Sequence, residues 1–323
     1  MTLAILYKLL AIAVTVALGW LATWRGWLGS TGGVGDPARV LANAAYFLFV
    51  PALLFRTMVR LDLSSMPWRT LAAFFVPAMA MALLCYLWLA RRRPVQPAAA
   101  PATRTVAAIY GNGVQLGIPM AAALFGEQGL ALHIALVSIH GVLLLTMLTV
   151  LVEADLARAD PATTHADAVR STLRNAIVHP VVLPSLAGMV WNLTGWGLHP
   201  VVDQALAVLG SAVVPLCLVL IGVSLASYGV RGHVRGALGV SVFKLIALPA
   251  AVLGVAHWGF GLSGMPLGVL VMMAALPVGS NALIFAQRYE VLQGEASTAI
   301  VLSTLAFGAT ATLWLAVLGA VGA

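Results

Sequence analysis

Two polar stretches that contain glycine and proline lie inside long apolar runs of the sequence. They are YGNGVQLGIP at 110–119 and LPVGSNALIFAQRY at 276–289. Glycine is unfavourable in a helix interior, and proline removes one backbone hydrogen bond, so neither stretch can form an undisturbed helix. The polar side chains of the two stretches are Asn112, Gln115, Ser280 and Asn281. These are the residues with which the chain could hold a polar ligand inside an apolar environment.

Broken helices of this kind suit an anion. Where an interrupted helix resumes, its first N–H groups and its partial positive charge face the break. Neutral amides and a hydroxyl add donors that can hold a carboxylate without the cost of a permanently buried charge. We therefore expect an anion site where the two breaks meet. The alternative is that the amides only satisfy backbone groups left open by glycine and proline.

The composition places these stretches in a membrane protein. Hydrophobic residues make up 62% of the 323 residues and charged residues only 8%, with a mean hydropathy of +1.02, whereas soluble domains are roughly a quarter charged. We expect an all-α polytopic fold, with each span near the ~20 residues that cross a bilayer. The ten expected spans are 4–24, 38–59, 67–90, 105–125, 128–152, 172–192, 201–227, 235–257, 265–286 and 295–320.

The net charge of +7 reflects membrane topology and not nucleic-acid binding. Most arginines fall in loops on one side of the expected spans, whereas Arg56, Arg60 and Arg69 fall on the other. Because cytoplasmic loops carry the excess of Lys and Arg, both termini are predicted to lie on the outer side. Proton or sodium relays usually use intramembrane carboxylates, but every Asp and Glu here is predicted in a loop or at a span end.

The prolines indicate an internal repeat. Pro51, Pro77 and Pro119 of spans two to four correspond to Pro215, Pro249 and Pro277 of spans seven to nine. Five spans per repeat is an odd number, so the second copy must be inverted, an arrangement typical of secondary transporters. We expect a first five-helix repeat at 1–152, a cytoplasmic hinge loop at 153–171 and a second repeat at 172–323.

Three ionisable side chains lie near the expected site. Lys244 is predicted deep in the eighth span, Arg56 follows Pro51, and His140 shares a helix face with His133 seven residues earlier. Any of the three could hold a second carboxylate or couple anion binding to protonation, and Lys244 is the leading candidate. Packing, interfacial anchoring and dipole pairing are the competing roles.

Catalysis is not expected. The GLSG at 261–264 resembles the nucleophile motif of intramembrane serine proteases, but no histidine follows His257 to serve as the base. Both cysteines fall in spans, and no nucleotide, zinc or dinucleotide motif occurs, so we expect no cofactor, no metal and no enzyme. A membrane sensor or scaffold without transport is a further alternative, but no polar segment is long enough for an output domain.

The chain resembles the auxin efflux carrier family, which contains plant auxin exporters and bacterial carriers of malonate and other organic acids. In the fourth span the resemblance rests on Gly111, Asn112, the triplet at 117–119 and Phe125-Gly126. In the ninth it rests on Leu276-Pro277, Gly279 and the ending at 285–289. FVPALL at 49–54 and VPLCLVLIGVSLA at 214–226 extend it to the whole chain. Plant exporters carry proline where this chain has Gly111.

The resemblance implies ten helices in a five-plus-five inverted repeat, with helices four and nine crossing, an elevator-like motion and a homodimer. It places the substrate carboxylate near Asn112 and near Pro277 with Val278, and it makes a short carboxylate such as malonate the leading substrate. The cell membrane of a bacterium is the expected location. The assigned substrate-binding residues are Asn112, Gly113, Gln115, Pro277, Val278, Ser280 and Asn281. The assigned helix-breaking residues are Gly111, Gly117, Pro119 and Gly279.

Overall fold

The computed structural model of the chain is almost entirely helical. It describes residues 3–29, 36–62, 66–91, 97–159, 182–228 and 233–321, together with residues 170, 174, 178 and 180. Within these ranges there is no β-strand. The helices are α1 (Leu3–Trp24), α2 (Pro37–Ala44), α3 (Val50–Val59), α4 (Trp68–Ala90), α5 (Ala100–Ile109), α6 (Ile118–His140), α7 (Thr146–Ala159), α8 (Val182–Leu193), α9 (Pro200–Ser211), α10 (Val213–Tyr228), α11 (Val234–Val242), α12 (Leu248–Gly254), α13 (Gly264–Ala275), α14 (Asn281–Arg288) and α15 (Gln293–Val321).

The helices form a multi-pass membrane protein. In the described part of the chain, six continuous helical stretches are long and apolar enough to cross a bilayer. They are Pro37–Val59, Trp68–Ala90, Met120–Ala159, Pro200–Ser227, Val234–Gly259 and Gln293–Val321. Large apolar side chains on their outer faces, such as Leu84, Val208 and Leu305, are more than half exposed and suit contact with lipid.

In the described ranges, five π-helical turns interrupt the helices: Ala45–Phe49, Gly113–Gly117, Gly141–Leu145, Phe243–Ala247 and Val255–Gly259. Three of them end two residues before Pro51, Pro119 and Pro249. A proline has no N–H to offer the carbonyl four residues earlier, so the preceding turn widens and that carbonyl needs another donor. At Pro249 this carbonyl belongs to Leu245, and the Trp314 indole N–H donates to it at 2.8 Å.

Most helix packing falls within two groups. The first group contains α1–α3 and α8–α10, in which α1 packs against α10 and α3 packs against α8 and α9. The second group contains α4–α7 and α11–α15, in which α4 packs against α5 and α12, and α13 packs against α6, α12 and α15. Glycines allow close approach inside the first group: a Cβ at Gly222 would collide with the Val16 carbonyl, and one at Gly188 would lie 2.5 Å from the Phe55 carbonyl.

The observed boundaries refine several predicted spans. The turn between spans four and five lies at Gly126, which has a φ of 64°. The seventh span is divided at Ala212 into α9 and α10. The first three residues of the GLSG stretch form a loop and its last residue begins α13, and Gly261 and Gly264 both have positive φ. Residues 160–169 of the predicted hinge loop lie outside the described residues, as does most of the start of the sixth span.

Candidate functional site

The first break separates α5 from α6. The helix ends at Ile109, residues 110–112 are extended, and the chain resumes through the π turn Gly113–Gly117 before α6 begins. Inside the break, Gly117 N donates to the Asn112 carbonyl at 3.1 Å. The N-terminal end of the resumed helix, with its partial positive charge, therefore lies at the break.

The second break separates α13 from α14. Helix α13 ends at Ala275, residues 276–280 are non-helical, and α14 begins at Asn281 with Ser280 at its N-cap position. The Ser280 side chain makes no capping hydrogen bond with α14. Val278 is completely buried, so the break lies within the protein and not at its lipid-facing surface, as irregular backbone at membrane depth requires.

The two breaks pair with each other through their backbones. An antiparallel bridge joins Gly111 and Val278. Asn112 N donates to the Pro277 carbonyl at 2.8 Å, and Gly279 N donates to the Tyr110 carbonyl at 2.9 Å. Extended backbone groups that would be costly in hydrocarbon thus become partners of one another. The two stretches singled out in the sequence therefore form one structural unit.

Side chains from neighbouring helices support other backbone groups of this unit. His133, which is buried on α6, places Nε2 2.8 Å from the Gly113 carbonyl. Since a carbonyl only accepts, Nε2 carries the proton and donates. Ser303, which is buried on α15, accepts from the N–H of Val278 at 3.0 Å. Both bonds hold backbone that helix formation would otherwise have satisfied.

Lys244 lies beside the paired breaks. Its side chain is completely buried in the π turn Phe243–Ala247, and Nζ donates to the carbonyl of Ala274 in the last turn of α13. A Cβ built on Gly111 would lie 3.2 Å from the same Nζ. Lys244 therefore contacts both breaks, but from the side that faces α13 and not among the residues that line the cavity described next.

A cavity of about 410 Å³ extends from the paired breaks to the first helix group. Its apolar wall is formed by α3, α9 and α10, and its polar wall by the breaks and the end of α6. The polar residues that line it are Arg56, Thr57, Tyr110, Asn112, Ser138, His140, Ser211, Ser280 and Asn281. This is a volume that suits a small ligand. Asn112 and Ser280 also line a second, mostly apolar cavity of about 450 Å³ between α1, α10 and α15.

The cation in the cavity wall is Arg56. Its Nε donates to Asp203 at 2.9 Å, and Arg60 NH2 contacts the other oxygen of the same carboxylate at 2.6 Å. Two guanidinium groups thus share one carboxylate, so the cluster keeps a net positive charge. Arg56 is the more buried of the two, with 28% of its side chain exposed against 57% for Arg60.

His140 lies in the polar wall with its ring against Tyr110, at a centroid separation of 4.2 Å. The Tyr110 hydroxyl in turn is within hydrogen-bonding reach of the Asn281 side chain. His140 is 3% exposed and packs near Phe74 and Phe75 on its other side. An aromatic and amide layer therefore connects α6 to the start of α14.

The end of the α2–α3 helical run that is farther from Arg56 makes aromatic and charged contacts. The Arg288 guanidinium lies 5.3 Å from the Tyr46 ring centroid and 5.7 Å from that of Phe47. Arg39 and Glu290 form an exposed ion pair at 3.0 Å. Since Tyr46 and Arg56 are ten residues apart on one helical run, about 15 Å separates these contacts from the Arg56 end of the cavity.

The structure thus brings together most of the residues assigned from the sequence. Gly111, Asn112, Gly113, Gly279, Ser280 and Asn281 line the cavity, and Pro277 and Val278 form the backbone pairing behind it. The side chains of Gln115 and Pro119 lie outside the described residues. Ser303, Tyr110 and Asp203 were not singled out. Ser303 offered one signal, as a hydroxyl in the apolar run AIVLSTLAF. Among the described residues, no group of His, Cys, Asp and Glu could hold a metal ion.

Comparison with known proteins gives consistent matches. A family of membrane transport proteins matches residues 4–315. An uncharacterized transporter of Methanothermobacter thermautotrophicus is 26% identical over 318 residues, covering 96% of this chain and 97% of that protein. Auxin efflux carrier component 3a of Oryza sativa subsp. japonica is 28% identical over 137 residues, covering 41% of this chain and 22% of that protein. An uncharacterized transporter of Methanocaldococcus jannaschii is 23% identical over 261 residues, 79% of this chain and 81% of that protein.

Proposed function

The chain belongs to the membrane transport protein family that includes the auxin efflux carriers, and we propose that it carries small organic anions as a secondary transporter. The family confirms the resemblance read from the sequence and makes the chain a transporter and not an enzyme. The proposed substrates are short mono- or dicarboxylates, with malonate first. The choice of malonate rests on the resemblance to bacterial carriers.

The observation that carries this proposal is the cavity that ends on the paired breaks. It combines neutral amide donors, the start of a helix and one partly buried guanidinium in a space of about 410 Å³. A carboxylate at Asn112 and Asn281 would receive amide N–H donors and the favourable end of the α14 dipole. The assigned set of binding residues is Asn112, Gly113, Gln115, Pro277, Val278, Ser280 and Asn281, with Gly111, Gly117, Pro119 and Gly279 breaking the helices.

A second carboxylate would be held by Arg56. Lys244 was the leading candidate from the sequence, but its ammonium donates to a backbone carbonyl behind the breaks. Arg56 lies in the cavity wall, and its cluster with Arg60 and Asp203 carries a net positive charge. A guanidinium can donate two parallel hydrogen bonds to one carboxylate, so the same residue could distinguish a dicarboxylate from a monocarboxylate.

We assign the transport mechanism to an elevator-type motion between the two helix groups. In this proposal the ten helices form two inverted repeats, at 1–152 and 172–323, joined by a hinge loop at 153–171, and helices four and nine cross at the breaks. Both breaks lie in the second group, while the apolar cavity wall belongs to the first. Sliding the second group along the first would move the site as a unit and exchange Arg56 contacts for contacts near Tyr46.

Topology and coupling complete the proposal. The arginine distribution favours both termini on the outer side of the bacterial inner membrane, so that the Arg56 end of the cavity faces outward. A homodimer is proposed from the family resemblance. Proton coupling would use His140, which lies in the cavity wall, or Lys244, which contacts both breaks.

Uptake into proteoliposomes tests the proposal directly. Labelled malonate, succinate, lactate and indole-acetate would be offered to the purified protein with and without a proton or sodium gradient. We expect saturable uptake of at least one of these acids. If none moves under any gradient, the organic-anion proposal fails.

Coupling is tested with the same vesicles over a pH range of about 5.5 to 8.5, in which histidine ordinarily titrates. His140→Gln and Lys244→Met would be compared with the unmodified protein. We expect the pH dependence of uptake to change in at least one variant. An identical pH profile in all three proteins would leave the carrier as a uniporter or exchanger.

A further inference from the structure

Lys244 occupies an unusual position for a charged side chain. It is completely buried, and it is among the largest side chains in the described part of the chain with this degree of burial. A buried ammonium in a membrane protein normally pairs with a carboxylate or serves a functional site. The ion pairs recorded in the described residues join other side chains, such as Arg104 with Glu295 and Arg56 with Asp203.

The recorded partner of Lys244 is instead a backbone carbonyl. Ala274 is in the last turn of α13, where the final carbonyls of a helix have no partner within the helix and carry a partial negative charge. At a chain break in a membrane interior, such carbonyls need a cation or a donor. In secondary transporters with broken helices, half-helix C-terminal ends and unwound carbonyls are the groups that coordinate sodium.

Gly111 provides the space for this arrangement. A Cβ at position 111 would lie 3.2 Å from Nζ and 3.3 Å from Cε of Lys244. The absence of a side chain there lets the ammonium approach the paired backbones of both breaks. The lysine therefore lies between the C-terminal end of α13 and the first break, and it is not among the residues that line the cavity.

We propose that Lys244 is a tethered substitute for a bound monovalent cation. Its ammonium occupies the position that sodium would take against the carbonyl end of α13, and it supplies the positive charge behind the anion site. The paired breaks then keep their geometry without sodium, and transport is independent of sodium. Removing the ammonium leaves a space beside the Ala274 carbonyl that sodium or a small alkylammonium ion can fill. Lys244 is a positioning residue in this scheme, since it acts through the breaks.

The test compares Lys244→Ala with Lys244→Met in detergent and in proteoliposomes. Thermal midpoint and uptake would be measured in sodium chloride, in choline chloride, and in choline chloride with added propylammonium. In choline chloride we expect uptake by Lys244→Ala to be roughly tenfold or more below that of the unmodified protein, because a hydrogen bond from a charged group is lost. Sodium or propylammonium should raise both its uptake and its thermal midpoint. Lys244→Met fills the space with an apolar chain and should not respond.

The unmodified protein and Lys8→Ala serve as controls in the same measurements. The unmodified protein should have the same thermal midpoint and uptake in sodium and in choline, and so should Lys8→Ala, which removes the chain's other lysine. A sodium requirement in the unmodified protein would overturn the inference. The inference would also be overturned if neither sodium nor propylammonium raised the uptake and the thermal midpoint of Lys244→Ala, whether or not this variant folds. The thermal midpoint does not depend on the substrate, so this result stands apart from the test of organic-anion transport.

Discussion

The two breaks reach the same pairing by different routes. The first resumes its helix through a π turn, and its Gly113 carbonyl is held by an imidazole. The second is extended over residues 276–279, with its Val278 N–H held by a hydroxyl and the Ala274 carbonyl before it held by an ammonium. Backbone groups that the two breaks leave without helical partners are thus hydrogen-bonded by side chains of different types.

This difference shows which parts of the unit are structural. The supports at His133, Ser303 and Lys244 come from neighbouring helices and do not line the 410 Å³ cavity, whereas Asn112 and Asn281 do. In the account proposed here, the supports fix the backbone and the cavity-facing amides bind the ligand. The following predictions separate the two roles.

The largest effect is expected from glycine replacement on the second break. A Cβ at Gly279 would lie 2.8 Å from the Gly111 carbonyl oxygen, a backbone atom that cannot move without disturbing the pairing. We expect Gly279→Ala to abolish uptake and to lower stability by about 1 to 3 kcal/mol, the usual cost of overpacking. Gly111→Ala meets only side-chain atoms and should be milder in both measurements. Equal losses in the two variants would show that the breaks do not differ in this way.

Removal of a support should affect stability more than affinity. Ser303→Ala leaves the buried Val278 N–H without its partner, and we expect a loss of about 1 to 3 kcal/mol in unfolding free energy. Thr312→Ala is the matched control, since that hydroxyl bonds within the same helix, to Gly308. The control should be close to the unmodified protein in chemical denaturation. A Ser303→Ala protein of unchanged stability would mean that this hydroxyl supports nothing.

A smaller and more selective effect is expected at the cavity wall. Arg56→Met should weaken dicarboxylate binding by about 1.5 kcal/mol, roughly tenfold, because a charge-assisted contact to the second carboxylate is lost. Monocarboxylate binding should change little. Arg60→Met is the control, because Arg60 shares Asp203 but is more exposed. Competition binding with malonate and lactate measures the ratio, and parallel losses for both acids would remove Arg56 from the second-carboxylate role.

Much of this unit could be predicted from the sequence. Glycine, proline and amides inside apolar runs are incompatible with an undisturbed helix, so the sequence alone points to 110–119 and 276–289. That the two breaks lie together was expected from the family resemblance, which implies that helices four and nine cross. Lys244 was recognised as deeply buried because it interrupts an apolar run.

The remaining features depend on contacts between distant parts of the chain. The Trp314 donation to Leu245 and the Ser303 support are set by which helices come together, and no local pattern encodes that. The orientation of Lys244 is of the same kind. Depth could be inferred from its place in the span, but whether Nζ faces the cavity or the end of α13 depends on how the surrounding helices pack.

The most direct test of the central claim is the affinity of the two asparagine variants. We predict that Asn112→Ala and Asn281→Ala each weaken binding of a transported acid by about 1.5 to 3 kcal/mol, roughly ten- to a hundredfold. Asn192→Ala is the control, since that amide donates to the carbonyls of Met58, Val59 and Leu61 away from the site. It should lower the midpoint and keep the affinity. Unchanged affinity in a normally expressed Asn112→Ala protein would contradict the account, because the amide would then serve only the helix break.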